Sequence, residues 1–287
     1  MTLPDNRPVR KPRRLGLIIP WALAAVLVVA WSIGWLWLKG ETERRMDAAR
    51  ASMAQSGWRL DWSRRKVSGF PFRLNVDLTN ARWGQASGLS VTAPVLNAQA
   101  YVSRTDNWML VAPNGLVLST HNEPVTVTAK ILRASLSELE RRPARVSVEG
   151  IDLRLAGKTV GEDCSPVQAK EFHLHTRAGP SDQGAAYLEI DRATSAPNCP
   201  SSQPLTVILD GIYSHASSLS GRDWPSAVKT WKAAGGKFEA RHVHLQNGDA
   251  IAFDGSPGVL ALHGDGVMEV GLRQSGRPAL NLFVQLY

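Results

Sequence analysis

Two hydrophobic patterns divide this chain. From Leu15 to Leu38 runs a 24-residue stretch without a formal charge, LGLIIPWALAAVLVVAWSIGWLWL, which has no polar face. As a helix it is about 36 Å long, enough to cross the roughly 30 Å hydrocarbon core of a bilayer with some tilt. Pro20 falls in its first turns, where a missing N–H costs little. Residues 39–56 keep a helical character, with Glu41 and Glu43 early and Gly57 as a stop. This stretch is either a stalk leaving the membrane or a helix docked on the domain edge. After Gly57 the period changes to two. Phe72, Leu74, Val76 and Leu78 alternate with Arg73, Asn75 and Asp77, the mark of a half-buried strand. The same alternation returns at Val125 to Ile131, Ile151 to Leu155, Leu205 to Leu209 and Leu280 to Leu286.

Between these runs lie turn-forming clusters such as Pro113-Asn114-Gly115 and Asn247-Gly248-Asp249. Strands follow strands without regular helical crossovers, so residues 57–287 are expected to be mainly β. The expected architecture is a large curved antiparallel sheet, either an open half-pipe or a sandwich. One helix interrupts it, Arg222 to Ala234, with Trp224, Val228 and Trp231 at helical spacing and Gly235-Gly236 as the stop. Trp224 and Trp231 are expected to face the sheet together as core.

Charge adds a direction. Arg7, Arg10, Lys11, Arg13 and Arg14 stand against Asp5 in residues 1–14, and this tail carries half of the formal net charge of +8. A basic block ahead of a span predicts a cytoplasmic N-terminus. Trp21 at one end of the run and Trp31, Trp35 and Trp37 at the other read as membrane-interface anchors. A cleaved signal would have a shorter apolar core and small residues at the cut, whereas this run closes on Trp35-Leu36-Trp37-Leu38. It therefore reads as a retained single span. Since the high pI is half a topology signal, charge makes no case for nucleic acid as a partner.

Chemistry is sparse. There is no nucleophile elbow, zinc-protease helix, phosphate loop or dinucleotide fingerprint, so no catalytic residue, metal ligand or cofactor is assigned. His173-x-His175 and His242-x-His244 could each present two imidazoles on one face of a strand. Phe172, Leu174, Val243 and Leu245 then point the other way, and no neighbouring carboxylate pair completes a site, so a solvated strand face is the reading taken. Cys164 and Cys199 lie in loop-like settings 35 residues apart. In an oxidising compartment such a pair forms a disulfide, restricting the unfolded chain by roughly 3–4 kcal/mol.

Gly57-Trp58, then Trp62, then Val67-Ser68-Gly69-Phe70-Pro71-Phe72-Arg73-Leu74, resembles the N-terminal signature of an uncharacterised proteobacterial family, domain of unknown function 2125. Trp231 to Leu245 and the strands that follow also resemble the ends of AsmA-like proteins. The resemblance implies a bacterial inner-membrane protein with most of its mass in the periplasm. AsmA-like proteins build long curved sheets with an apolar inner face, and some are implicated in lipid handling. It implies no catalytic motif.

Three functions remain open on this reading. The first is a non-enzymatic module that binds or handles a lipid or another apolar envelope component. The second is an assembly partner of another envelope protein, and the third a hydrolase whose triad the sequence does not reveal. For the first, one short helix cannot cover a large sheet. Phe70, Phe72, Leu74, Val76 and Leu78, with Leu153 and Leu282 on later strands, are then the candidate lining of an apolar trough. A reporter fused after Tyr287 should be active only outside the cytoplasm. Cytoplasmic activity would overturn both the topology and the disulfide reading.

Overall fold

The computed structural model describes residues 15–55, 57–85, 88–120, 123–141, 143–162, 164–197, 199, 203–219, 224–248, 251–255, 259–262, 267–272 and 280–285. For residues 15–17, 120, 224–225, 251–253 and 259 onward, only the backbone is described.

The apolar run and the stretch after it form one continuous helix, α1 (Leu15–Gln55), about 62 Å long. Its first half is bare, with Ile18, Leu23, Leu27 and Ile33 all exposed. Its second half is docked. At Gly57 the chain reverses in a left-handed conformation that suits glycine, φ +82°. It then returns antiparallel to the helix through β1 (Trp58–Asp61) and β2 (Arg64–Ser68). Arg65 donates to both carboxylate oxygens of Asp47 at 2.8 and 3.1 Å, and Arg50 pairs with Asp61. Both guanidiniums lie over the Trp62 ring, 5.4 Å (Arg50) and 5.3 Å (Arg65) from its centre. The Arg65 hydrogen bond also holds the Asp47 carboxyl below its usual pKa range.

Every sheet pairing is antiparallel, and the long strands follow one another in chain order. β1 and β2 lie end to end along one side of β3 (Arg73–Gln85), and β4 (Ser90–Tyr101) lies on the other. β5 (Arg104–Val111) and β6 (Leu116–Thr120) share the next position. β7 (Glu123–Thr128) pairs with β6, β8 (Ile131–Ser137) pairs with β5, and both meet β9 (Arg145–Ala156). β10 (Pro166–Ala178), β11 (Gly184–Ser195), β12 (Leu205–Tyr213) and β13 (Phe238–Asn247) continue the meander. β14 (Ile251–Gly255) and β15 (Val259–Leu262) share the far side of β13. β16 (Val267–Leu272) and β17 (Leu280–Gln285) end the sheet. Among the described residues no pairing joins β17 to β1 or β2, so the sheet keeps two edges. The protein is mainly β, as the period-two runs predict. One run differs: Val125 to Ile131 is two strands, because the chain turns at Ala129-Lys130 and Ile131 opens β8.

Two helices cover the sheet in places. Under α1, Trp35 is buried with Val67, Leu74, Val76, Leu78 and Ala81, and Leu38, Met46, Trp62 and Trp108 pack around them. Far along the sheet α2 (Trp224–Ala233) drives Trp231 against Tyr213 and Ala216. The Trp231 indole N–H donates to the Ser214 carbonyl at 2.6 Å. Trp231 therefore faces the sheet as its spacing predicts, while the Trp224 side chain lies outside the described residues.

Cys164 and Cys199 are bonded, with Cα atoms 5.5 Å apart. The bridge ties the loop after β9 to the loop after β11, two hairpin ends on one side of the sheet. Leu74 is 0% exposed and Phe72 is 67% exposed. Leu74→Ala should therefore cost about 2–5 kcal/mol, whereas Phe72→Ala should stay within about 0.5 kcal/mol. Thermal melts of the detergent-solubilised chain, followed by Trp fluorescence, check the contrast.

Candidate functional site

Strand register builds one apolar face. Starting under α1, Val76 lies opposite Ala98, Ala98 opposite Leu110, and Leu110 opposite Ala134. Ala134 then lies opposite Val148, Val148 opposite Leu174, Leu174 opposite Leu188, Leu188 opposite Leu209, and Leu209 opposite Val243. Directly opposed residues in an antiparallel pair share a face. This is a row of nine side chains with no polar member, spanning eight inter-strand steps, or about 38 Å. Beside it runs a second row, Gly150, Phe172, Ile190, Val207 and Leu245.

Burial along the row is uneven, and that is its main property. Val76 is 2% exposed beneath α1. From Ala98 through Leu110, Val148, Leu174, Leu188 and Leu209 to Val243, each residue is only half-buried. A second sheet packed across this face would bury side chains of this size completely, as in a sandwich core. The face between the two helices is a single open layer among the described residues.

Part of the trough lining expected from the sequence is core instead. Leu74, Val76 and Leu78 are core beneath α1 and have no surface left to line a groove. Phe70 and Phe72 lie at the end of the sheet in the turn before β3, 53% and 67% exposed. Leu153 does reach the open face, by a local departure from alternation. Asp152 takes φ +53°, which turns Leu153 back over Gly150. A Cβ on Gly150 would come within 2.8 Å of both Leu153 methyls. The Leu282 side chain lies outside the described residues.

The opposite face is polar. His173 and His175 project there, and so do His242 and His244, as their apolar neighbours predict. Register supplies carboxylates that linear spacing does not reveal. His173 lies opposite Glu149 and Glu189 and 3.4 Å from the Glu171 carboxylate. Asp254 of β14 sits 3.5 Å from His242 and 3.8 Å from His244. The two histidine pairs stay apart, because β10 and β13 are three strands, or about 14 Å, from each other. Among the described residues no group of three His, Cys, Asp or Glu is disposed to hold a metal ion. Tyr187, beside His175, donates to Glu189 at 2.8 Å, and desolvation with that bond raises its pKa to about 12.

The tryptophans of α1 divide into two groups. Trp21 and Trp37 are exposed, Trp31 is exposed in part, and Trp35, expected as an interface anchor, is buried in the protein core. Trp31 and Trp35 turn to the protein, their indole N–H groups donating to the carbonyls of Pro71 (2.9 Å) and Arg73 (3.1 Å). The Gly-Phe-Pro-Phe segment is thus a turn pinned to the helix. That is a structural reason for the tryptophans and the turn to occur together.

Comparison with curated proteins and with solved structures finds no match. The family model described as uncharacterized protein conserved in bacteria, domain of unknown function 2125, matches residues 35–273. That span begins at the tryptophan pinned to the turn and includes the whole open face from β4 to β13. On this match the chain belongs to the domain of unknown function 2125 family.

Proposed function

We propose that the protein is a membrane-anchored, extracytoplasmic module that holds an acyl chain, or a similarly elongated apolar envelope molecule, along the open face of its sheet. The observation that carries this reading is the row from Val76 to Val243, apolar at every strand and half-open over most of its length. A row of core-type side chains left half-open over this length has room for an apolar cover. Its shape, long and one side chain deep, suits a chain rather than a compact ligand. The row starts beneath the helix that crosses the bilayer, so its near end lies beside the lipid source. The disulfide fits an oxidising compartment outside the cytoplasm. The resemblance of Trp231 to Leu245 and the strands that follow to the ends of AsmA-like proteins supports the same reading, since some proteins of that kind are implicated in lipid handling. No step in this function requires a catalytic residue.

A photo-crosslinking amino acid placed in the full chain in cells tests it. Substituted for Leu188, in the middle of the row, it should give a lipid adduct seen as a discrete mass increase of the purified protein. Substituted for His175, on the opposite face, it should give none. If the Leu188 position captures only another protein, the face is an assembly surface and the lipid reading is overturned. No adduct at Leu188 overturns it equally.

A further inference from the structure

We infer that the Phe70-Pro71-Phe72 turn is a second membrane contact, seated at the boundary between hydrocarbon and headgroups and fixing how the sheet stands on the bilayer. This rests on α1 being the membrane span. If hydrocarbon begins at Leu15, directly after the basic tail, a core of about 30 Å takes some twenty residues and ends near Gly34. Tilt moves that limit outward, toward Leu38. The turn packs on α1 at this level. The Phe72 ring is 6.2 Å from that of Trp31, and the Phe70 ring is 5.6 Å from that of Trp35. Two phenylalanines that are mostly exposed to solvent in the isolated protein thus stand at a depth where the solvent is lipid.

The backbone of the turn is prepared for that environment. In hydrocarbon an unpaired carbonyl costs several kcal/mol, whereas in water it costs nothing. The Pro71 carbonyl accepts from Trp31, the Arg73 carbonyl from Trp35, the Phe72 carbonyl from the Val102 N–H (3.0 Å) and the Gly69 carbonyl from the Arg73 N–H (2.9 Å). Pro71 has no N–H to satisfy. Two of these donors are indole N–H groups of α1, so these carbonyls are satisfied without water. Next along the same sheet end, the Arg73 guanidinium lies 5.4 Å from the centre of the exposed Tyr101 ring. An aromatic side chain with an arginine beside it is the composition of a headgroup belt.

Environment-sensitive labels on the full chain in phosphatidylethanolamine–phosphatidylglycerol vesicles test this. The native cysteines are bonded to each other and take no label. A fluorophore on Phe72→Cys should lose most of its emission to lipids carrying a nitroxide near the headgroup and resist aqueous iodide. A fluorophore on Leu89→Cys, at the opposite end of β3, should respond to iodide alone. Leu27→Cys, within the span, reports on the anchor itself. If position 72 behaves like position 89 while position 27 answers to lipid, the contact is overturned and the anchor stands. If position 27 answers to iodide, both fail. Phe70→Cys repeats the measurement at the second exposed ring, and neither substitution opens the core.

Discussion

The structure depends on register. Side chains alternate faces along a strand, so a slip of one residue in any strand would move its apolar set to the polar face. From β3 to β13 the strands hold the alignment that places Val76, Ala98, Leu110, Ala134, Val148, Leu174, Leu188, Leu209 and Val243 in one line. The same alignment sends Asp77, Asn97, Arg133, Glu149, His173 and Glu189 to the other side. Cross-strand partners reinforce it there, with the Asn97 amide donating to Asp77 at 2.7 Å and Arg133 paired with Glu149. Polar pairs on one face thus maintain the apolar line on the other. The disulfide works toward the same end by tying two hairpin ends together.

A sheet with one apolar face needs a cover, and this chain supplies two partial ones. At the start, the second half of α1 serves as a lid. There the helix buries Trp35 and packs a half-buried Met46 against β2 and β3, and Asp47 and Arg50 fix it to Arg65 and Asp61. The apolar half of α1 and the sheet are thus held by one continuous helix docked on β1 and β2, and not by a free stalk. Toward the end, α2 covers Tyr213 and Phe238 with Trp231. Between them lie Val148, Leu174, Leu188 and Leu209, whose side chains match core residues in type while their burial does not. Their lack of cover is what turns an architectural feature into a functional question.

Much of this was legible in the sequence. Alternation at Leu74, Val76 and Leu78 marks a strand, and the same alternation at Leu205, Val207 and Leu209 marks another. The two are indistinguishable as patterns, although α1 closes over the first and the second stays half-open. What covers a strand is decided by an element elsewhere in the chain, which is why Leu74, Val76 and Leu78 are core although their alternation matches that of half-open strands. The carboxylates around the histidines were hidden for a related reason. Asp254 meets His242 and His244 only through the β13–β14 register, and Glu149 meets His173 only through that of β9 and β10. Leu153 reached the right face through a left-handed Asp152 that no periodicity predicts. Cys164 and Cys199 were readable because loop setting and compartment, and not register, govern their pairing.

Magnitudes bear on whether such a face would store an apolar chain or pass it on. Moving an acyl chain into water costs about 0.8 kcal/mol per methylene, so a sixteen-carbon chain in free solution is disfavoured by about 13 kcal/mol. Moving it from the bilayer to another apolar surface removes most of that cost, because both environments are dry. A face that contacts the chain on one side only leaves the other side to water, so the bilayer retains the advantage. An occupant of this face would therefore exchange with the membrane unless its head group gained contacts of its own. Between the end closed by α1 and the region covered by α2, the row carries no polar side chain to mark a resting place. Displacement along that stretch would meet no polar barrier. Under the proposed function, these would be the energetics of a path along the open face between α1 and α2.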